Sequence, residues 1–238
     1  METLVSQKMA ETNPKTELLR SLGRLVRGLS ALFWGLPLTL VVYVQTGRTD
    51  WLEMFGFFAV LPTVIATGLL LFGLWQMNDF QRQERVWKQA LQRAEILGII
   101  NLGLAPFLFW WHRLPMVPLY AICVGMLALS SVLFLFNLNF VLRRLTAMLP
   151  DETLRAETNF FTTFNSALLA AVFLVLTADF VLLQIKGLPR WVDHLLDLMN
   201  TQGLWMILFL ILMPLAMTMA LIWKIKEVIF ASLLESQR

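Results

Sequence analysis

Charge is what this chain has least of. Only 15% of its 238 residues are Asp, Glu, Lys or Arg, while 58% are hydrophobic. A soluble domain carries about 25% charged and 45–50% apolar residues. So few polar groups cannot cover a water-facing surface around so much apolar mass, which excludes a soluble globule and predicts a membrane protein. Cysteine is down to one, Cys123, in the middle of an apolar run. It permits no intramolecular disulfide and no cysteine-based metal centre, and reads as a small core residue. His112 and His194 are the only histidines, so most metal and nucleophile arrangements are out of reach. P-loop, Gly-x-Ser-x-Gly, His-Glu-x-x-His and dinucleotide signatures are all missing. Asp179 is the one acid well inside an apolar run, which excludes a paired-aspartate intramembrane protease. The expectation is therefore a non-catalytic protein with no cofactor. Asn-x-Ser/Thr acceptors are absent too, as suits a bacterial inner membrane, and the polar, charged first 28 residues argue against a cleavable signal.

What the sequence has in abundance is long apolar runs. Six stand out: Gly28–Gln45, Phe55–Met77, Ile96–Trp111, Met116–Val141, Phe160–Ile185 and Leu204–Trp223. A spanning helix needs ~20 apolar residues, with ~17–25 tolerated. The third run is the shortest and contains Asn101 and Pro106; it is expected to borrow from the charged stretch before it or to bend. The fold class that follows is all-α: a polytopic transmembrane bundle of six spanning helices.

Lys and Arg are distributed unevenly between alternate loops. Lys8, Lys15, Arg20, Arg24 and Arg27 precede the first run. Arg82, Arg85, Lys88 and Arg93 lie between the second and third, Arg143, Arg144 and Arg155 between the fourth and fifth, and Lys224, Lys226 and Arg238 after the sixth. Only Arg48, Arg113, Lys186 and Arg190 fall in the other loops. The positive-inside rule then places both termini in the cytoplasm. It also explains the net charge of +3 without nucleic acid, because the basic residues gather at particular loops.

Residues 1–27 form a segment of their own, ahead of a transmembrane domain at 28–223 and a tail at 224–238. Asn13-Pro14 reads as a helix start. Leu18, Leu22, Leu25, Val26 and Leu29 follow at helical spacing, with Arg20, Arg24 and Arg27 opposite. The pattern predicts a basic amphipathic helix lying on the membrane surface before the chain turns in. Residues 14–27 and 78–95 are the surfaces a soluble cytoplasmic partner would use. Phe80, Trp87, Leu91 and Ala94 recur at helical spacing, so the second run is expected to continue as a helix past the membrane. In the last outer loop, Trp191, Leu195, Leu198 and Met199 share one face of a short surface helix, with Asp193, His194 and Asp197 on the other. Asp193-His194-x-x-Asp197 has ligand-like spacing but no wider ligand set. Pro150, with Asp151 and Glu152 behind it, marks a helix restart.

Two short matches suggest a duplicated hairpin. Leu74-Trp75-Gln76-Met77-Asn78 resembles Leu135-Phe136-Asn137-Leu138-Asn139, and Arg93-Ala94-Glu95 reappears as Arg155-Ala156-Glu157 at nearly the same offset.

The polar residues inside the runs are the site candidates. Asp179 is either a proton or cation site, partnered by Lys186 or Arg113, or a hydrated acid near the surface. Gln76, Asn78, Asn101, Asn137, Asn139 and Asn165 fall in the cytoplasmic third. They form either a hydrogen-bonded layer that fixes the bundle or a polar pocket opening to the cytoplasm. Ala121, Gly125, Ser166, Ala167, Ala170 and Ala171 allow close helix approach, and Met206, Met213 and Met217 read as packing. Two functions remain. One is a structural or accessory subunit of a membrane assembly, partnered by lipid, other membrane subunits or its own copies. The other is a transporter or permease component with Asp179 and the amides along the path.

Overall fold

Few helix breakers interrupt the apolar runs, and the chain forms long helices accordingly. In the computed structural model the backbone is described for residues 2–49, 56, 58–78, 80, 84–148, 152–182 and 203–235. Side chains are described from Arg20 to Ala231, without those of 154, 179, 180, 182 and 203–208 within the helices. Among the described residues there are six helices and no strand: α1 (Glu2–Arg48), α2 (Leu61–Met77), α3 (Arg85–Arg113), α4 (Pro118–Ala147), α5 (Glu152–Leu182) and α6 (Gly203–Glu235). Each contains a stretch long and apolar enough to cross a membrane. Pro62 and Pro118 sit in the first turns of α2 and α4, where a missing N–H leaves no hydrogen bond unmade.

Three boundaries bear on the sequence expectation. First, α1 is unbroken. The basic amphipathic stretch does not turn at Gly28 but runs straight into the first apolar run, and the helix passes through Asn13-Pro14 back to Glu2. Its apolar stripe is spent on the bundle, with Leu25, Leu29, Leu32 and Leu36 all buried in the core. Second, of the two courses expected for the third run, α3 takes the one that borrows from the charged stretch before it, and it does so as far back as Arg85, reaching 29 residues. Third, α2 stops at Met77, so Trp87, Leu91 and Ala94 belong to α3. Trp87 packs edge-on against Phe80, with ring centroids 6.2 Å apart. Asn78, a residue type that competes for backbone hydrogen bonds, stands at the C-cap of α2. The expected surface helix around Trp191 lies outside the described residues.

The helices pack in chain order, antiparallel neighbour to neighbour, and α6 returns to α1 to close the ring. Two further contacts cross it, α1 to α3 and α4 to α6. The contacts of α1–α3 are thus repeated by α4–α6. Because three is odd, the second trio runs opposite to the first. The matched sequence motifs do not coincide with this repeat. Asn78 caps the end of α2, whereas Asn139 lies inside α4, which continues to Ala147.

One end of the bundle, where α2 meets α3 and α4 meets α5, carries Arg20, Arg24, Arg27, Arg85, Lys88, Arg143, Arg144, Arg155, Lys224 and Lys226; the other end carries Arg48 and Arg113. We refer to these as the basic end and the far end. The main core lies in the basic half, with Leu74, Met77, Leu138, Leu142, Leu145, Ile222 and Ile225 all at 0% exposure. Here α1 and α2 touch backbone to backbone. A Cβ added at Gly28 would come within 2.6 Å of the Gly73 carbonyl oxygen, so only glycine permits the approach. Large apolar side chains such as Trp34, Ile65, Trp75 and Phe160 are exposed around the outside, as on a lipid-facing surface.

Candidate functional site

Packing is less complete in the far half. A cavity of about 460 Å³ lies between the helices and takes lining residues from all six. Its size falls within the ~300–1,000 Å³ range of small-molecule sites. The walls are mainly apolar, including Leu36, Leu70, Leu108, Leu127, Val172 and Ile211. Among the described residues the polar lining comes from Thr39, Tyr43, Thr67, Asn101 and Ser131, and the charged lining from Arg48, at the far end of α1.

Hydroxyl groups tie the walls together. Tyr43 Oη and Thr67 Oγ1 are 2.7 Å apart, joining α1 to α2. Thr39 Oγ1 donates towards both Gly35 O in its own helix and Ala66 O across the gap. Ser130 Oγ donates to Asn101 Oδ1, joining α4 to α3. Each of these helix pairs carries its polar contact buried or half-buried, where it is worth ~0.6–2 kcal/mol in a bilayer.

Pro214 and Leu215 of α6 are among the lining residues. Immediately towards the basic end lies a three-helix polar knot. Asn165 Nδ2 (α5) reaches Asn139 Oδ1 (α4) at 3.1 Å, Thr218 Oγ1 (α6) at 3.0 Å and Pro214 O at 3.2 Å. Asn139 Nδ2 donates to Thr218 Oγ1 at 3.0 Å and to Leu135 O at 2.9 Å. Thr218 Oγ1 donates to Pro214 O at 2.8 Å. All three side chains are buried. Below the knot, Glu157 of α5 pairs with Lys224 of α6, and Arg143 Nε of α4 donates to Asn159 Oδ1 of α5 at 2.8 Å.

The amides expected to act as one layer therefore separate. Asn139 and Asn165 meet in the knot, and Asn101 lies in the cavity wall. Asn137 donates back to Leu133 O of its own helix. Gln76 is half-buried in a surface recess with Arg24, Trp75 and Asn78. Asp179 is on α5, and its side chain lies outside the described residues, as do His194 and Lys186. Among the described residues no three His, Cys, Asp or Glu side chains gather as a metal site.

The sequence reading passed over the hydroxyls. Thr39, Thr67 and Thr218 each bond the carbonyl four residues back, so in sequence they look self-satisfied. The available signal was their lone position in runs of large apolar residues. No protein-family model, curated protein or solved structure matches the chain.

Proposed function

We propose that this is a membrane transport protein that holds a small, largely apolar solute between its six helices. The observation that carries the reading is the cavity itself: every helix contributes to it, and Pro214 joins its lining to the polar knot through the carbonyl that Asn165 contacts. A bundle built only to pack would gain by filling that space, since interiors otherwise reach crystal-like density. Two trios of opposite direction with a cavity at their interface also match the general plan of secondary transporters. The lining chemistry favours an apolar body with a polar or anionic group near Arg48. Both termini are placed on the cytoplasmic side of a bacterial inner membrane, so the cavity lies towards the outside.

Native mass spectrometry of the protein released from nanodiscs tests this. The expected result is a small-molecule adduct on the wild type that Ala128→Trp, which puts an indole into the cavity, removes. Identical spectra for both proteins would sink the reading. Orientation is checked separately in a Cys123→Ser background. A cysteine at exposed Ala147 is expected to be shielded from an impermeant reagent in intact cells, and one at Met116 to react.

The accessory-subunit reading is favoured by a different feature. An apolar groove of about 610 Å³ on the outside of the bundle runs between α4 and α5, lined by Leu133, Phe136, Ala170, Phe173 and Leu174 among others. A groove floored by alanine suits another membrane helix. Co-purification at fixed stoichiometry, lost in Ala170→Trp but retained in Ala128→Trp, would favour this second role.

A further inference from the structure

The hydrogens of the polar knot are fully committed, but its oxygens are not. Asn139 commits its two amide hydrogens to Leu135 O and Thr218 Oγ1, Thr218 commits its hydroxyl hydrogen to Pro214 O, and Asn165 has Asn139 Oδ1, Pro214 O and Thr218 Oγ1 for its two. That orientation of Asn165 is fixed by its partners, because carbonyl oxygens accept and cannot donate. Its own Oδ1 is left buried without a partner, and so are Thr162 Oγ1 and Thr158 Oγ1. Asn165, Thr162 and Thr158 are at most 4% exposed. At spacings of three and four residues they form one stripe on α5.

The two threonines also depart from the local habit. Thr163 and Thr177 on the same helix bond the carbonyl four residues back, whereas Thr158 and Thr162 do not satisfy themselves in that way. Thr158 and Thr162 leave a hydroxyl hydrogen as well as lone pairs unpaired, and neither hydroxyl bonds Asn165 Oδ1; that amide oxygen can only accept, and with the knot hydrogens committed elsewhere it is open to an electropositive occupant. A divalent ion is disfavoured, since such ions are held by carboxylates. The neighbouring acid, Glu157, is half-exposed and already paired with Lys224.

We infer that Asn165 Oδ1 and Thr162 Oγ1 form a binding site for a partly dehydrated monovalent cation of the sodium or potassium class. Thr158, one turn nearer the basic end, supplies the next oxygen on the ion's route. The ion would lie against the Asn165 amide that contacts the Pro214 carbonyl of α6 at 3.2 Å, where its presence bears on how α5 and α6 pack. The site stands on its own geometry and does not require that the cavity carry a solute.

The test is thermal unfolding of the purified protein in nanodiscs in NaCl, KCl or N-methylglucamine chloride at equal ionic strength. The expected result is a saturable rise in Tm with Na⁺ or K⁺ that the organic cation does not give. Thr162→Val, which keeps the shape and removes the oxygen, is expected to abolish it; Thr162→Ser and the exposed neighbour Thr163→Val are expected to keep it. Equilibrium binding of radioactive Na⁺ or Rb⁺ is expected to weaken at least ~10-fold in Thr162→Val, the scale seen when support of a bound ion is removed. Equal Tm in all three salts would overturn the inference, leaving water as the occupant. An undiminished cation response in Thr162→Val would also overturn it. Should Thr162→Val not fold, the wild type's response to the three salts decides.

Discussion

The two halves of the bundle are made from the same six helices and similar apolar residues, yet one is full and the other hollow. In the basic half the inward positions are Leu25, Leu29, Leu138, Leu142, Ile222 and Ile225, all fully buried, with Trp87 and Phe80 closing the end. In the far half the corresponding surface includes Thr39, Gly47, Thr67, Ala128 and Ser131. These short side chains stand among larger ones such as Leu36, Leu108 and Val172, and the space left between them is the cavity. Side-chain volume, more than hydrophobicity, decides which half has an interior that can hold a molecule. The polar knot sits at the boundary between the two halves. It holds α4, α5 and α6 together at the level where apolar packing gives way to space.

The largest effect that separates the halves should come from truncating a filled position. Leu142→Ala in the basic half opens a new cavity and is expected to cost about 2–5 kcal/mol. Leu176→Ala, at the wall of the existing cavity, removes contacts on one side only and should cost less than half as much. Chemical denaturation of both variants in a common detergent measures the difference. Equal losses would mean that the far half is as tightly packed as the basic half.

Adding volume sharpens the same contrast. Gly28→Ala drives a methyl group into the Gly73 carbonyl and the Met77 side chain, at 2.6 and 2.8 Å. Backbone cannot yield there as a side chain could, so overpacking should cost ~1–3 kcal/mol. At Gly47 a Cβ would meet Leu108 at 3.6 Å, an ordinary contact, and Gly47→Ala should leave the Tm unchanged or raise it slightly. At the boundary, Asn139→Leu removes an acceptor from Asn165 and a donor from Thr218 and should cost ~1–2 kcal/mol. The readout for all three is Tm in detergent.

How far the sequence carried the fold follows from the same distinction. Six apolar stretches and the gathering of Arg and Lys at alternate loops were readable because each depends on the chain locally. Glu152 in the first turn of α5 was also locally readable, from Pro150 and the acids behind it. The course of α1 was not. Leu25 and Leu29 have the same helical spacing whether their stripe meets lipid headgroups or Leu74 and Ile222, and only tertiary packing tells which. The extension of α3 into the charged stretch was one of the expected courses, but Trp87, Leu91 and Ala94 were read as a continuation of the second run, because their helical spacing does not say which neighbouring helix they join. The amides were identified by type, but their grouping depends on rotation about each helix axis. Asn137 and Asn139, two residues apart, therefore point to different places. The cavity had no local signature, because its lining residues are brought together from six helices.

The smallest loss expected is also the one that tests whether the far half is held by hydroxyls instead of apolar contact. Ser130→Ala removes the proton that Asn101 Oδ1 accepts and leaves that buried oxygen unmatched. Measured side-chain bonds between membrane helices average ~0.6 kcal/mol, so a loss of that order is expected, with Ser131→Ala at the cavity wall as the milder control. Replacing both ends, Ser130→Ala with Asn101→Leu, should recover most of the loss, because no buried polar atom is then stranded. A double variant less stable than Ser130→Ala alone would show that Asn101 has a second task in the wall. The same measurement would then direct attention to Asn101 as a contact for whatever occupies the cavity.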